Sequence, residues 1–359
     1  MFKYLAKRAV TYLVMAYLAT TAAYFLACSY FRPGNLMLDR TPRPTPAQVQ
    51  HSLATLGLDP TKSVPERYWE WLKGVVLHWD WGRSPDSTFV NVEFSHRVWI
   101  SFALQIVSII LTLVIGIALG VVAAARQYSV TDRVITGWSY LTYILPAPVA
   151  YLLVQLGAIA INQASGSQVF FVTGTYDPTV VGFWPRALDL MKHYIVPTIA
   201  MTIFGWAGYQ VGQRQYLLDN IATDFVRTAR ATGLTRSQAI RRHALRVSFI
   251  PVAQSIAFTI PAVFTGSFFA ESIFNWQGLG MWSITAIGKQ DVNVAVAMVA
   301  YGAIVFAIGA LLADFSITLV DPRVSGPPPS FGPVAVRVVG FRLMGALPSV
   351  VDGCEVAER

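Results

Sequence analysis

Six apolar stretches, at residues 9–30, 99–125, 134–161, 194–211, 249–270 and 292–320, reach the roughly 20 residues that cross a bilayer core. They constrain the fold more than any other feature. Lipid offers no partner to a backbone N–H or C=O, so each stretch must close its hydrogen bonds on itself as a helix. Of 359 residues, 54% are hydrophobic and 13% charged, against about 25% charged in a soluble domain. The class is an all-α integral membrane protein. Pro146 and Pro148 fall inside the third stretch, Pro197 inside the fourth, Pro251 and Pro261 inside the fifth, so kinked helices are expected there. Gly205, Gly208 and Gly212 suit close packing around a path, or are ordinary membrane-helix glycines.

Orientation follows from Lys and Arg near the helix ends. Lys3, Lys7 and Arg8 precede the first stretch, and an even number of crossings returns the chain to their side at Arg126 and Arg133, at residues 214–246 and at Arg323. The opposite connections hold Arg186, Lys192 and Lys289. Both termini are therefore expected in the cytoplasm, in a multi-pass protein of the cell membrane. The net charge of +8 is accounted for by these loops, and no nucleic-acid partner is inferred. The first stretch has the charged start of a signal peptide, but it is too long and lacks a clean cleavage site, so a retained helix is expected. Cys28 and Cys354 fall at different levels, and no disulfide is expected.

The organisation expected is a first helix over residues 1–30, an external segment over 31–97, a helical core over 98–323 and a Pro- and Gly-rich tail over 324–359, poorly ordered. Pro42, Pro44 and Pro46 mark an extended stretch in the external segment, and Tyr68, Trp69, Trp71, Trp79 and Trp81 follow. Such a density of aromatic side chains reads as a cap lying on the bilayer interface. The alternative is a soluble loop packing its tryptophans inward.

Between the fourth and fifth stretches lies a polar island, residues 214–246. Apolar side chains recur at helical spacing from Phe225 to Leu245 but break at Gly233. Gly233 can take a left-handed conformation that ends one helix, and Thr235 with Gln238 forms a plausible capping box for the next. The expected unit is helix, tight turn, helix. Ala229, Ala231 and Gly233 would let a partner approach, while Arg227, Arg230, Arg236, Arg241 and Arg242 could reach its carboxylates. Alternatively the island is an Arg-rich loop that obeys the charge rule or binds anionic lipid.

The stretch from Ala229 to Leu234 (Ala-Arg-Ala-Thr-Gly-Leu), with Ile240, Arg241, Arg242, His243, Ala244, Leu245 and Arg246 after it, closely resembles the EAA loop of binding-protein-dependent ABC importers, in their oligopeptide/dipeptide/nickel permease branch (the first, B-type permease). Ala229 and Gly233 match the second alanine and the glycine of that loop; Arg227 and Thr228 replace its leading Glu-Ala, as is usual in the branch. Leu56 to Asp59, Asp80 to Ser84, Asp132 with Arg133, Glu271 to Phe274, Gly278 to Gly280 and Leu319 to Arg323 resemble further family motifs, so the likeness covers nearly the whole chain. Gln277 departs from the usual proline and leaves the rigidity of that turn open. The resemblance implies a type I ABC importer transmembrane domain with six transmembrane helices and a cytoplasmic coupling helix. It implies that Arg227, Ala229, Arg230, Ala231, Gly233, Leu234, Arg241 and His243 contact an ATPase. The implied partners are a second homologous permease, two ATPase subunits that carry ATP and Mg, an extracytoplasmic binding protein and membrane lipid. Short peptides are the implied cargo, with nickel or another small solute as the alternative.

The chain carries no phosphate-binding Gly-x-x-x-x-Gly-Lys-Ser/Thr loop, so no cofactor is expected here and ATP must be hydrolysed elsewhere. No Cys/His spacing suits a metal; His51, His78, His96, His193 and His243 are scattered and read as interfacial. No Gly-x-Ser-x-Gly elbow supports a hydrolase, and no catalytic residue is assigned. Glu271 either bonds the following turn or contributes to a gate or substrate contact. Asp314 reads as a partner of a basic loop residue such as Arg323. Gln105, Gln155 and Gln254 line a wet path or bond across helices. A membrane enzyme would need clustered acid–base residues, and a stand-alone carrier would need inverted repeats and paired mid-membrane carboxylates. Neither pattern is seen.

Overall fold

The computed structural model describes residues 2–38, 41–86 and 88–320, and these are helical throughout apart from connections and one isolated bridge between Arg83 and Phe89. Helix α1 (Phe2–Tyr30) leads to three short helices, α2 (Pro33–Leu38), α3 (Pro46–Thr55) and α4 (Val64–His78). Then follow α5 (Val90–Ala125), α6 (Val130–Ile144), α7 (Ala147–Ser165) and α8 (Phe183–Ile221). Helix α9 (Asp224–Ala231) precedes α10 (Arg236–Ala239), a π-turn (Ile240–Ala244) and α11 (Leu245–Thr265). Helices α12 (Phe268–Ile273), α13 (Leu279–Gly288) and α14 (Val292–Val320) complete the described chain. The tail over 324–359, Cys354 and Arg323 lie outside the described residues.

Among the described residues, five helical segments are long and apolar enough to cross a membrane: Leu5–Tyr30, Val90–Ala125, Ala147–Ser165, Arg236–Ile273 and Val292–Phe315. The fourth stretch expected from sequence lies within α8, whose 39 residues give about 58 Å at 1.5 Å per residue. Thr198, Thr202 and Gln210 make its middle less apolar than the other five. The third expected stretch is not one kinked helix. It divides at Leu145, whose ψ of 126° is extended, because the ring of Pro146 disfavours the helical region for the residue before it. Only α7 is left at spanning length. Pro197, Pro251 and Pro261 are carried inside their helices.

Two pairings organise the bundle. Helix α1 lies along α14, and α5 lies along α8; α11 packs on α14, α5 and α8 and joins the two. Water-driven burial does not act between helices in lipid, so close backbone approach must hold them. Gly116 and Gly120 on α5 provide it. A Cβ on Gly116 would sit 2.6 Å from the Trp206 carbonyl, and one on Gly120 2.8 Å from that of Gln210. The buried face of α5 is accordingly small and polar (Ser101, Gln105, Ser108, Thr112, Gly116, Gly120), while Val107, Ile110, Leu111 and Val114 face outward.

Helices α2–α4 rest on the ends of α1 and α14 that share one side of the bundle, through Tyr24, Ala27, Met37, Val49, Leu56, Leu58, Val292 and Val296. The aromatic run divides between the two readings of the sequence. Tyr68 meets Tyr24 edge-on and Trp71 meets it tilted, each with centroids 5.2 Å away, and Trp81 packs on Trp71, whereas Trp69 and Trp79 remain exposed. Pro46 does not extend the proline-rich stretch; it opens α3 behind a Thr45–Gln48 capping box. Asp314 faces Arg8 at 3.7 Å and accepts from the Tyr12 hydroxyl at 3.2 Å. Among the described residues a basic neighbour thus comes from the first helix, brought close by the α1–α14 pairing, while Arg323 lies outside them.

Candidate functional site

The polar island forms an elbow between α8 and α11. Helix α9 is its transverse arm. The Gly233 φ of +97° lets the chain reverse, and the Leu234 N–H bonds the Ala229 carbonyl while the Gly233 N–H bonds that of Arg230. These two bonds make a Schellman ending. Nothing crowds a Cβ at Gly233, so glycine is required there by conformation and not by space. Thr235 then caps α10 in a reciprocal box with Gln238, as its spacing suggests. The second arm is no separate helix. From Arg236 it continues through the π-turn into α11, with the Leu245 N–H reaching back to the Ile240 carbonyl.

Packing fixes the elbow on the bundle. Val226, Ala229, Ala239, Ile240 and Ala244 are buried against Leu217 of α8 and Ala124 of α5, with Leu234 packed alongside. Burying side chains the size of Val226 and Ile240 contributes about 1.5–3 kcal/mol each. Ala229 therefore faces inward, packed against the bundle, where the sequence suggested an outward position. Arg227, Arg230, Ala231, Gly233, Arg236, Arg241, Arg242 and His243 are exposed. The outer face is basic, and its acid Asp224 pairs loosely with Arg227 at 3.4 Å, both largely in solvent, where such a pair adds little.

One ion pair ties the elbow to α6. The Arg214 guanidinium donates Nε to Asp132 Oδ1 at 2.7 Å and Nη2 to Oδ2 at 3.0 Å. Asp132 also accepts from the Tyr128 N–H and the Thr136 hydroxyl. The Arg214 fork holds the buried carboxyl well below its usual range, at about 2, because each of these donors favours the ionised form. Sequence reading marked Asp132 and Arg214 separately but not as a pair, since they stand 82 positions apart.

The polar residues expected on a path go to different places. Gln105 is buried and donates to the Val263 carbonyl at 3.1 Å, one of the four carbonyls that the end of α11 leaves open. Tyr301 covers the Phe264 carbonyl beside it. Gln155 donates to the Ile273 carbonyl at the end of α12, 2.9 Å away. Gln254 is half-buried on α11 and joins neither contact.

Glu271 is fully buried. Its Oε1 accepts from the Ser101 hydroxyl at 2.7 Å and the Ser267 N–H at 3.2 Å; its Oε2 accepts from the Met281 N–H at 2.8 Å. Ser101 in turn accepts from the Leu279 N–H. The carboxylate thus joins α5, α12 and α13, and Gly266 and Gly278 leave it room. His193 is buried, with Nδ1 2.9 Å from the Asp189 carbonyl. Sequence reading also missed Gln210 and Gln213, fully buried on α8 with amide atoms that lack a partner. The spacing of Gly116 and Gly120, four apart in an apolar run, was the signal that could have located this seam.

Residues 116–326 match the family model described as "Binding-protein-dependent transport system inner membrane component". The chain is 36% identical over 325 residues to the oligopeptide transport system permease protein OppB of Mycobacterium tuberculosis (strain ATCC 25618 / H37Rv), an alignment covering 90% of this chain and 99% of the relative. It is 31% identical over 294 residues to the oligopeptide transport system permease protein AppB of Bacillus subtilis (strain 168), covering 81% and 89%. To the dipeptide transport system permease protein DppB of Escherichia coli (strain K12) it is 30% identical over 294 residues, covering 78% and 86%. The basic elbow between two long helices, the all-helical bundle and these matches lead to one assignment: the chain belongs to the inner-membrane permease components of binding-protein-dependent transport systems, with the transmembrane domain of a type I ABC importer.

Proposed function

We propose that this permease moves short peptides across the cell membrane as one subunit of an ATP-driven importer, and that the elbow couples it to ATP hydrolysis in separate chains. The observation that carries the reading is the elbow's division into a packed inner face and a basic outer face. Val226, Ala229 and Ile240 hold it to α5 and α8, so a force on Arg230 or Arg241 passes into the bundle without loss in a floppy loop. Exposed guanidinium groups suit a cleft lined with carboxylates. Two ATPase subunits with ATP and Mg would supply that cleft, and a second homologous permease would complete the pathway. The charge rule puts the elbow and both termini on the cytoplasmic side. Helices α2–α4 then form the outer platform on which a binding protein delivers cargo. The peptide class rests on the names of the relatives.

In this mechanism the chain does no covalent chemistry. ATPase closure displaces α9, the Asp132–Arg214 fork carries the displacement to α6, and α8 and α11 rock against α5, the logic of alternating access. The test is reconstitution of the complete assembly in vesicles with a labelled peptide panel. ATP-dependent accumulation of peptides, lost on omission of the ATPase chains, is expected. Accumulation without those chains would overturn the coupling reading, and transport of a non-peptide solute alone would overturn the substrate class.

A further inference from the structure

We propose that a pocket between α1, α2, α4 and the start of α14 binds the phosphate headgroup of an anionic phospholipid. The pocket has a volume of about 310 Å³, and Cys28, Phe31, Arg32, Asn35, Arg67 and Val292 are among its lining residues. Cys28 is in the last turn of α1 and Val292 is the first residue of α14. The pocket therefore opens at the level where two spanning helices leave the bilayer on the same side.

Its charge is one-sided. No carboxylate lines it. The Arg67 Nε–H is buried and has no partner, and its Nη1 reaches only the Leu58 carbonyl at 3.4 Å. Arg32 stands exposed at the rim. Of the neighbouring acids, Asp59 is close enough for its charge to act on Arg67, but its hydrogen bonds go to the Thr61 N–H and hydroxyl at 2.9 and 2.7 Å, and Glu70 pairs with Lys62 at 2.6 Å. A guanidinium holds a phosphate through two parallel N–H donors, and a buried donor without an acceptor is costly. The Nη1 bond to the Leu58 carbonyl is long, so it is the Nη edge of Arg67, on the pocket wall, that is open to an oxyanion.

The rest of the lining selects an amphiphile. Phe31 and Val292 provide apolar walls beneath the arginines, and α1 leaves Leu26 and Tyr30 exposed at the same height, where acyl chains lie. A net-negative headgroup is preferred over a zwitterionic one because the pocket carries two cations. The other source of the same chemistry is a free oxyanion from the aqueous phase.

The test uses the full chain with Cys354→Ser, so that Cys28 is the single thiol and its alkylation rate reports on the pocket. The protein is placed in phosphatidylcholine nanodiscs, in the same discs with inorganic phosphate, and in discs containing phosphatidylglycerol. Phosphatidylglycerol is expected to slow alkylation about tenfold, the response to a ligand in clear excess over its Kd. Native mass spectrometry after detergent washing should show a retained phosphatidylglycerol. Arg67→Gln and Arg32→Gln should lose both signals; Arg32 is exposed, so its replacement guards against a folding artefact. Equal protection by inorganic phosphate in phosphatidylcholine discs would reject lipid as the source. Indifference of Cys28 to both anions, or phosphatidylglycerol retention unchanged in both variants, would overturn the site altogether.

Discussion

Arg214 at the foot of α8 grips Asp132 at the start of α6 through two hydrogen bonds of 2.7 and 3.0 Å, one to each carboxylate oxygen. The pair links the helix that enters the elbow to a helix separated from it by the whole of α7. In the proposed mechanism, motion imposed on the elbow reaches α6 through this contact. Asp132→Asn keeps the shape and removes the charge. It should cost about 2 kcal/mol, the scale of a hydrogen-bonded charge, and lower ATP-dependent uptake more than ATPase activity. Thermal melting and a paired uptake and hydrolysis assay measure the two effects.

The same contact sets an acid limit. The folded carboxyl titrates at about 2, below its ordinary 3.8. Its contribution to stability is therefore complete above about pH 4 and is lost as pH falls through about 2. Asp132→Asn should flatten this part of the stability profile. A variant profile that still falls in step with the parent between pH 4 and 2 would assign the loss to other groups.

At Gly233 the φ of +97° excludes proline, and the Gly233 N–H to Arg230 carbonyl bond would be lost with it. Gly233→Pro should abolish coupled uptake while membrane insertion persists, because the spanning helices do not depend on the turn. Gly233→Ala should cost about 1 kcal/mol for the left-handed backbone and retain part of the uptake. Wild-type uptake by the proline variant would contradict a mechanical role for the elbow.

Arg230 is exposed on α9 and has no packing duty. Arg230→Glu should leave the melting temperature within the small range of surface changes, about 0.5 kcal/mol, and still reduce transport per ATP hydrolysed. Crosslinking from Ala231 to the ATPase chain should fall in parallel. A large loss of stability would show that the residue acts through folding instead.

Glu271 answers three donors from Ser101, Ser267 and Met281. Glu271→Ala orphans them and should cost about 2–4 kcal/mol, since a buried donor left unmade loses its full desolvation penalty. Glu271→Gln keeps the volume and should be milder. If the carboxylate served only as a substrate contact, both variants would melt like the parent and differ in uptake alone.

Gly116 sits where a Cβ would approach the Trp206 carbonyl to 2.6 Å. Gly116→Leu should force α5 and α8 apart and remove folded protein from the membrane fraction in detergent gel filtration. Gly137, with open space around it, is the control: Gly137→Leu should be tolerated.

Local chemistry made much of this protein readable before folding was considered. Apolar length required helices, since nothing but the segment itself can satisfy a backbone in lipid. Gly233, Thr235 and Gln238 wrote the turn and the following cap within six residues, because those interactions are contained in adjacent backbone. What could not be read was which side of each element faces in. Ala229 looks like a contact residue in sequence but is buried by Leu217 and Ala124, contributed by other helices. The break at Pro146 was visible as a proline, but it ends the helix at Leu145, whose extended ψ of 126° the proline ring favours, where a kink was expected. The Arg214–Asp132 grip, the Arg8–Asp314 contact and the Glu271 junction each join residues far apart in the chain. Membrane length and local caps are properties of neighbouring residues; the selection of partners for buried charges is made only when the helices close together and exclude every other acceptor.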